Sequence, residues 1–571
     1  MKPYPALPPG SRRLYTLCLH LAVGASIWGY NIGVLSSVLV HPGWTSTLGD
    51  PSAAQKGVVT GIYYLGTLLS YVLLSHPLAD WLGRRHGALV GTLVLCLGAL
   101  VMACADGAAA LGTMALGRWL CGLGVGVVST SVPLYQSEVA PAEERGKFVT
   151  LNHVGFITGL ASGARRVGYG MTYWTGPAGE YWGWRVSILI QLLPALVFAA
   201  GLPRLPDTPR WLVQKGDMER ARRVLHWLRE GTCAAPETTA AHELRAISAD
   251  VESRRRVGQT SLSLSLSLLR EAPLLARLWR AFLLQFMAQM CGATAMKYYL
   301  PTLLRALGMD TRLALMAGAV EMTAKIGMAV VEMWVIDRFG RRACLVGGCV
   351  VMGVAMLVRS SLAIEGISNH VLTEDAQING ALPLAYPQNA NTAADVVCIA
   401  FIFIYAMGYS LGLGPAAWVY SSEIFPTSVR ARGLNFAASG GSIGSILVAH
   451  IWPVGIARLG SGIYFFFMAV NALCVPASKP APSPPLLPLR HREFPRLTLA
   501  QTIWMLYPET KGRALENMDG LFGKSHARNS AVSRDGAARG GEGWHEPHEG
   551  GGEARQSAED STDEDAPLMG R

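Results

Sequence analysis

Apolar runs of about 20 residues recur along this chain, each long enough to cross the ~30 Å hydrocarbon core of a bilayer as a helix. They fall at roughly 14–40, 57–78, 87–105, 111–134, 148–170, 186–202, 281–304, 313–336, 343–364, 395–420, 432–456 and 463–476. A bilayer accepts only backbones whose polar groups bond internally, so twelve such runs predict an all-α membrane protein of twelve spans. A polar stretch, 206–280, divides them six and six. Only 15% of residues are charged, against about 25% in soluble domains. The net charge of +10 does not form a nucleic-acid surface, because long uncharged spans separate the basic clusters. Nine of the ten cysteines lie inside apolar runs, where they read as small buried hydrophobes rather than a disulfide or zinc framework. No metal, cofactor or nucleic-acid partner is expected.

The start, residues 1–13, is polar and Pro-rich, and the run behind it is too long for a signal-peptide core, so 14–40 reads as the first span. Orientation follows from Lys and Arg in the loops. Loops after even-numbered spans hold 22 of them, including 13 in 206–280, whereas the opposite loops hold about five (Lys56, Arg185, Arg305, Arg312, Arg458). Both termini and the central segment are therefore expected in the cytoplasm. That segment reads as short amphipathic helices, Met218 to Arg229 among them, and the tail 524–571 as disordered. The expected organisation is a cytoplasmic N-terminus (1–13), a six-helix bundle (14–205), a helical linker (206–280), a second bundle (281–523) and the tail.

The halves repeat each other. Asp80-Trp81-Leu82-Gly83-Arg84-Arg85 follows span 2 and Asp337-Arg338-Phe339-Gly340-Arg341-Arg342 follows span 8. Ser137-Glu138-x-x-Pro141-x-x-x-Arg145 follows span 4, matched by Ser422-Glu423-x-x-Pro426-x-x-x-Arg430 after span 10. Pro206-Asp207-Thr208-Pro209-Arg210 and Pro508-Glu509-Thr510-Lys511-Gly512 close spans 6 and 12. Two parallel six-span repeats with a substrate site between them is a transporter architecture. The carboxylates and guanidiniums at these helix ends are expected to pair across the two halves when the cytoplasmic side is shut. Asp80, Arg84, Arg85, Glu138, Arg145, Asp337, Arg341, Arg342, Glu423 and Arg430 are the candidates for this latch. No nucleophile constellation or phosphate loop suggests an enzyme.

Over about residues 14–523 the chain resembles the sugar porter family of the major facilitator superfamily, especially its fungal members. The resemblance is carried by Gly29-Tyr30-Asn31-x-Gly33-Val34, the paired Gly-Arg-Arg loops, Gly117-Arg118 with Gly122-x-Gly124-x-Gly126, and Pro133-x-Tyr135-x-Ser137-Glu138-x-Ala140-Pro141. Pro209-Arg210-Trp211-Leu212, Tyr298-Tyr299-x-Pro301, Gly414-Pro415-x-x-Trp418 and Pro508-Glu509-Thr510-Lys511-Gly512 complete it. The resemblance implies transport of a monosaccharide, a hexose, by alternating access in a monomer of the plasma membrane. It puts Gln285, Gln289 and Trp418 on sugar-contacting positions and Tyr298 and Tyr299 on a gating pair. Amides suit hydroxyl groups because they both donate and accept.

The chain also departs from the family. The paired Gln-Gln of span 7 is Ala288-Gln289, the following Asn is Thr294, a Gln of span 5 is His153, and an Asn-Trp pair of span 11 is Gly441-Ser442. Proton-coupled members resemble one another in an Asp of span 1 near the Arg of span 4; here the pair is Asn31 and Arg118, which favours facilitated diffusion. Intramembrane ionisable groups are functional candidates by default. Among them Glu321 and Lys325 are spaced for an ion pair on one helix face, and Lys297, facing the path, favours a sugar acid or quinate-like carboxylate. Proton symport of a sugar or of such an acid, with protons as partner, and a sugar sensor that binds without transport are the alternatives.

Span 12 offers only 14 apolar residues before the Pro-rich segment 477–501. Deleting that segment joins Cys474-Val475-Pro476 to Thr502-Ile503-Trp504-Met505-Leu506-Tyr507, a 20-residue span leading directly into Pro508-Glu509-Thr510. The 25 residues read as a translated intron.

Overall fold

In a computed structural model of the chain, the described residues are 9–141, 145–161, 166–230, 236–256, 268–306, 309–368, 392–425, 429–459 and 462–473. Their regular structure is entirely helical. The first half runs α1 (Pro9–Val38), α2 (Pro42–Thr47), α3 (Ala53–Leu69), α4 (Ser75–Trp81), α5 (Gly83–Ala103), α6 (Ala110–Val139), α7 (Arg145–Gly159), α8 (Val167–Met171), α9 (Pro177–Leu189) and α10 (Leu192–Gly201). The linker holds α11 (Pro209–Lys215), α12 (Met218–Arg229) and α13 (Pro236–Arg256). The second half runs α14 (Ala272–Met290), α15 (Ala293–Ala306), α16 (Thr311–Phe339), α17 (Arg341–Ser368), α18 (Thr392–Leu411), α19 (Pro415–Glu423), α20 (Arg430–Leu459) and α21 (Gly462–Leu473). Eight helical stretches among the described residues are long and apolar enough to cross a membrane.

Helices meet through small residues, as close packing in an apolar solvent requires. A Cβ on Gly29 would lie 2.0 Å from the Phe156 carbonyl and one on Gly155 2.4 Å from the Ala22 carbonyl, so α1 and α7 touch backbone to backbone. A Cβ on Gly122 would lie 2.0 Å from the Tyr63 carbonyl across the α3–α6 seam. In the second half a Cβ on Gly440 would lie 2.4 Å from the Phe282 carbonyl, where α20 lies on α14. The halves touch along α3 with α20, α1 with α15, and α7 with α16.

Spans 7 and 10 are less continuous than their hydropathy suggests. Span 10 breaks at Gly412–Gly414 between α18 and α19. Span 7 breaks at Gly292, whose φ of 101° only glycine adopts without strain. Of span 12 the described part is α21, 12 residues, and the joint with 502–507 lies outside the described residues. The segments 477–501 and 524–571 lie outside the described residues.

The amphipathic reading of the linker is matched by α12, which buries Ala221, Leu225 and Leu228. It is tied to the bundle by Arg229, which donates to the Val139 carbonyl at 3.2 Å and pairs with Glu243 on α13 at 3.1 Å. At the opposite end His41 caps α2, its Nδ1 accepting from the Gly43 amide at 3.2 Å. Burial pulls the His41 pKa below its ordinary value, with Glu180 opposing. The folded protein therefore holds fewer protons on His41 than the unfolded chain does, so this stabilisation is complete above about pH 6.5 and fades on acidification. The unfolding midpoint in detergent should fall between pH 7.5 and 5, and His41→Asn, which keeps an acceptor at the cap, should flatten that slope.

Candidate substrate path and conformational gates

The break at Gly292 gathers polar groups in the middle of span 7. Gln289, at the end of α14, accepts at Oε1 from Thr294 Oγ1 at 3.0 Å and from Lys297 Nζ at 3.3 Å. Thr294 also reaches Ser445 Oγ on α20 at 3.1 Å. The Lys297 ammonium sits 5.7 Å from the centre of the Tyr409 ring on α18, and from the first half His153 on α7 lies within its electrostatic reach. Gln289, Lys297, Tyr409, His153 and Trp418 are all partly exposed. Gln285 is buried, its amide facing Ser421 Oγ at 3.4 Å. Gly441 lies against Gln285, whose carbonyl and amide oxygens are in van der Waals range of the place a Cβ would take. Its neighbour Ser442 shares a hydrogen bond with Thr67 of the first half at 2.9 Å.

A second cluster surrounds Arg118, which is 1% exposed. Its Nη1 donates to the Asn31 backbone carbonyl at 3.2 Å and to Asn31 Oδ1 at 3.0 Å, and Nη2 reaches the Tyr298 hydroxyl at 3.4 Å. The guanidinium lies over the Tyr63 ring, 4.5 Å from its centre, a favourable place for a desolvated cation. Asn31 Nδ2 in turn donates to Gln191 Oε1 at 2.8 Å. Among the described residues no carboxylate pairs with Arg118. Tyr299 donates to Thr60 Oγ1 and to the Ala449 carbonyl, both at 3.1 Å. Both tyrosines of the expected gating pair therefore bridge the halves.

The linker end carries the ionic network. Gly83 and Gly340 have φ of 87° and 95°, so each Gly-Arg-Arg loop needs its glycine to turn sharply into the next helix. Arg84 then donates from Nε and Nη2 to Glu138 Oε1 at 3.1 and 2.8 Å, and from Nη1 to the Ala79 carbonyl at 3.0 Å. Arg85 pairs with Asp207 at 3.1 Å, and Arg341 with Glu423 at 3.1 Å. The expected Arg–Glu contacts across the halves are thus corrected: each closes inside its own half, because the turn aims the arginine at the neighbouring helix end a few ångströms away. What crosses is Arg432, whose Nη2 lies 3.4 Å from Asp80 Oδ2 and whose Nε donates to His76 Nε2 at 3.1 Å. The side chains of Arg145, Asp337 and Arg430 lie outside the described residues, and Arg342 is half-buried at the start of α17.

Within the spans Lys325 and Glu321 pair at 2.5 Å, as their spacing predicts. Glu332, also on α16, is buried near the Ala416 amide where α19 begins.

A family profile described as "Sugar (and other) transporter" matches residues 17–477. The chain belongs to this family. It is a membrane transporter and not an enzyme. It is 27% identical to Sugar carrier protein C of Ricinus communis, with 91% of each chain covered. Sugar transport protein 1 of Arabidopsis thaliana is 26% identical, covering 92% of this chain and 93% of that one. A probable quinate permease of Aspergillus niger is also 26% identical, covering 89% and 88%. Among solved structures, the proton:xylose symporter XylE bound to 6-bromo-6-deoxy-D-glucose superposes with a TM-score of 0.68 at 20% identity, over 90% of this chain and 100% of that one. That likeness establishes the twelve-helix major facilitator fold.

Sequence reasoning did not single out Gln191, Ser445, His76 or Arg432 as site residues. Gln191 was visible as a lone amide in the apolar run Ile190-Gln191-Leu192, since buried polar groups need partners. Arg432 was counted only among the loop cations; nothing in its spacing points to Asp80.

Proposed function

We propose that this sugar transporter family member carries a monosaccharide of hexose size by alternating access and facilitated diffusion. It works as a monomer in the plasma membrane, with both termini and the linker in the cytoplasm. Gln285, Gln289, Thr294, His153 and Trp418 are the substrate contacts. The observation that carries the uncoupled reading is the partner of Arg118: an uncharged amide, Asn31, occupies the place where a titratable carboxylate would exchange protons. Glu321 and Lys325 neutralise each other and need no proton. The Arg432 bridge to Asp80 and His76 closes the linker end, Tyr298 and Tyr299 hold the other, and solute exchange requires that the two open in turn.

In a yeast strain lacking hexose uptake, glucose transport by this chain should be unaffected by a protonophore, and abolition by it would sink the uncoupled reading. Asn31→Asp places a carboxylate about 3 Å from the Arg118 guanidinium and should confer a dependence on external pH that the parent lacks. The reading of 477–501 as a translated intron draws support from the family match, which ends at residue 477. Sequencing the transcript decides it, and a cDNA retaining those 75 bases ends the idea.

A further inference from the structure

We infer that the solute carries a carboxylate, and that Lys297 is the residue that selects it. The inference rests on the reading above that the space between the halves holds the substrate. Lys297 lies in mid-span, partly exposed, and among the described residues its ammonium is held by neutral groups: the Gln289 amide oxygen at 3.3 Å and the face of Tyr409. Among the described residues its charged neighbour, Lys325, is of its own sign. Lys325 on α16 and His153 on α7 are in electrostatic reach of it; of the acids on α16, Glu321 is closed on Lys325, and Glu332 is buried against the Ala416 amide and bears on Tyr409. Among the described residues no carboxylate pairs with Lys297.

A cation sequestered in this way with no counter-ion is costly, and an anion entering from solution removes that cost. Gln289 also bears on the choice. It is the one amide left of the family's pair, and its oxygen is already taken by Thr294 and Lys297, so a neutral sugar hydroxyl gains little there. A carboxylate oxygen accepts directly from the Lys297 ammonium, freeing the Gln289 amide for the hydroxyls. The class that fits is a six-carbon polyol acid, a hexuronate being the simplest.

The test uses the full chain in proteoliposomes clamped at zero potential, because uncoupled movement of an anion responds to voltage. Labelled glucuronate should exchange at least about tenfold faster than labelled glucose, the scale expected for one charge-assisted hydrogen bond. Lys297→Gln should remove that preference, lowering glucuronate exchange and leaving or raising that of glucose, and Lys297→Arg should restore it. Glucose exchange with glucuronate excluded, unchanged in Lys297→Gln, overturns the proposal while leaving the transport reading intact. If neither solute exchanges, the transport reading fails and thermal stabilisation decides the selectivity. Glucuronate stabilising the parent but not Lys297→Gln sustains the role of Lys297, and equal response of the two proteins refutes it.

Discussion

Glu138→Ala should destabilise the protein by about 3 kcal/mol or more, the cost of stripping one partner from a buried ion pair. The Arg84 and Glu138 side chains are 4% and 6% exposed, so water cannot replace the lost carboxylate. The Ala79 carbonyl and Asp80, the latter 3.7 Å away, are all that remains to hold the guanidinium. Removing the arginine as well should recover much of the loss, since two apolar side chains leave no stranded charge. A double-mutant cycle on unfolding midpoints in detergent separates this from a general effect of cavities. Single variants whose losses simply add would show that the two groups do not act as a pair. The same cycle on Arg341 and Glu423, where the side chains are 15% and 21% exposed, should give a smaller coupling because solvent screens it.

Gly159→Val should abolish accumulation of folded protein. A Cβ there would lie 1.9 Å from the Ser26 carbonyl on α1, with the Ser26 backbone carbon at 2.6 Å. Backbone, unlike the end of a side chain, cannot rotate away. Relieving the overlap means parting α1 from α7 along a seam that also includes Gly29 and Gly155. Overpacking typically costs about 1–3 kcal/mol where side chains can yield, and here none can. Gly112→Ala is the control: nothing lies within 4 Å of that Cβ, so fluorescence-detected size-exclusion profiles should match those of the parent. Normal profiles for both variants would mean that α1 and α7 do not approach this closely.

The linker helix α12 and the pair Glu321–Lys325 were both legible because each depends on one helix alone, its period of 3.6 residues and the proximity of residues four apart. The twelve spans and the doubled motifs were legible for a related reason, since the bilayer sets the length of each apolar run. Gly83 and Gly340 were conspicuous as a repeat, although their function, a left-handed turn, required backbone angles. The latch was misjudged. Glu138 and Arg84 are 54 residues apart, and nothing in their spacing distinguishes closure within one half from closure across both. Only the packed helix ends decided that, along with the choice of Arg432 to bridge to Asp80 and His76.

The environment of Lys297 was decided in the same way. The chain sequence places a cation in mid-span; whether an acid meets it depends on which faces of α14, α16, α18 and α7 turn toward it. Those faces present an amide, a lysine already engaged, a phenol ring and a histidine. Family, span number, repeat and positive loops thus followed from the sequence alone, because each is set by local period or by the membrane as solvent. Which charges are paired and which are left open was set only by the tertiary structure, because electrostatic partners are chosen by a few ångströms of distance between segments far apart in the chain.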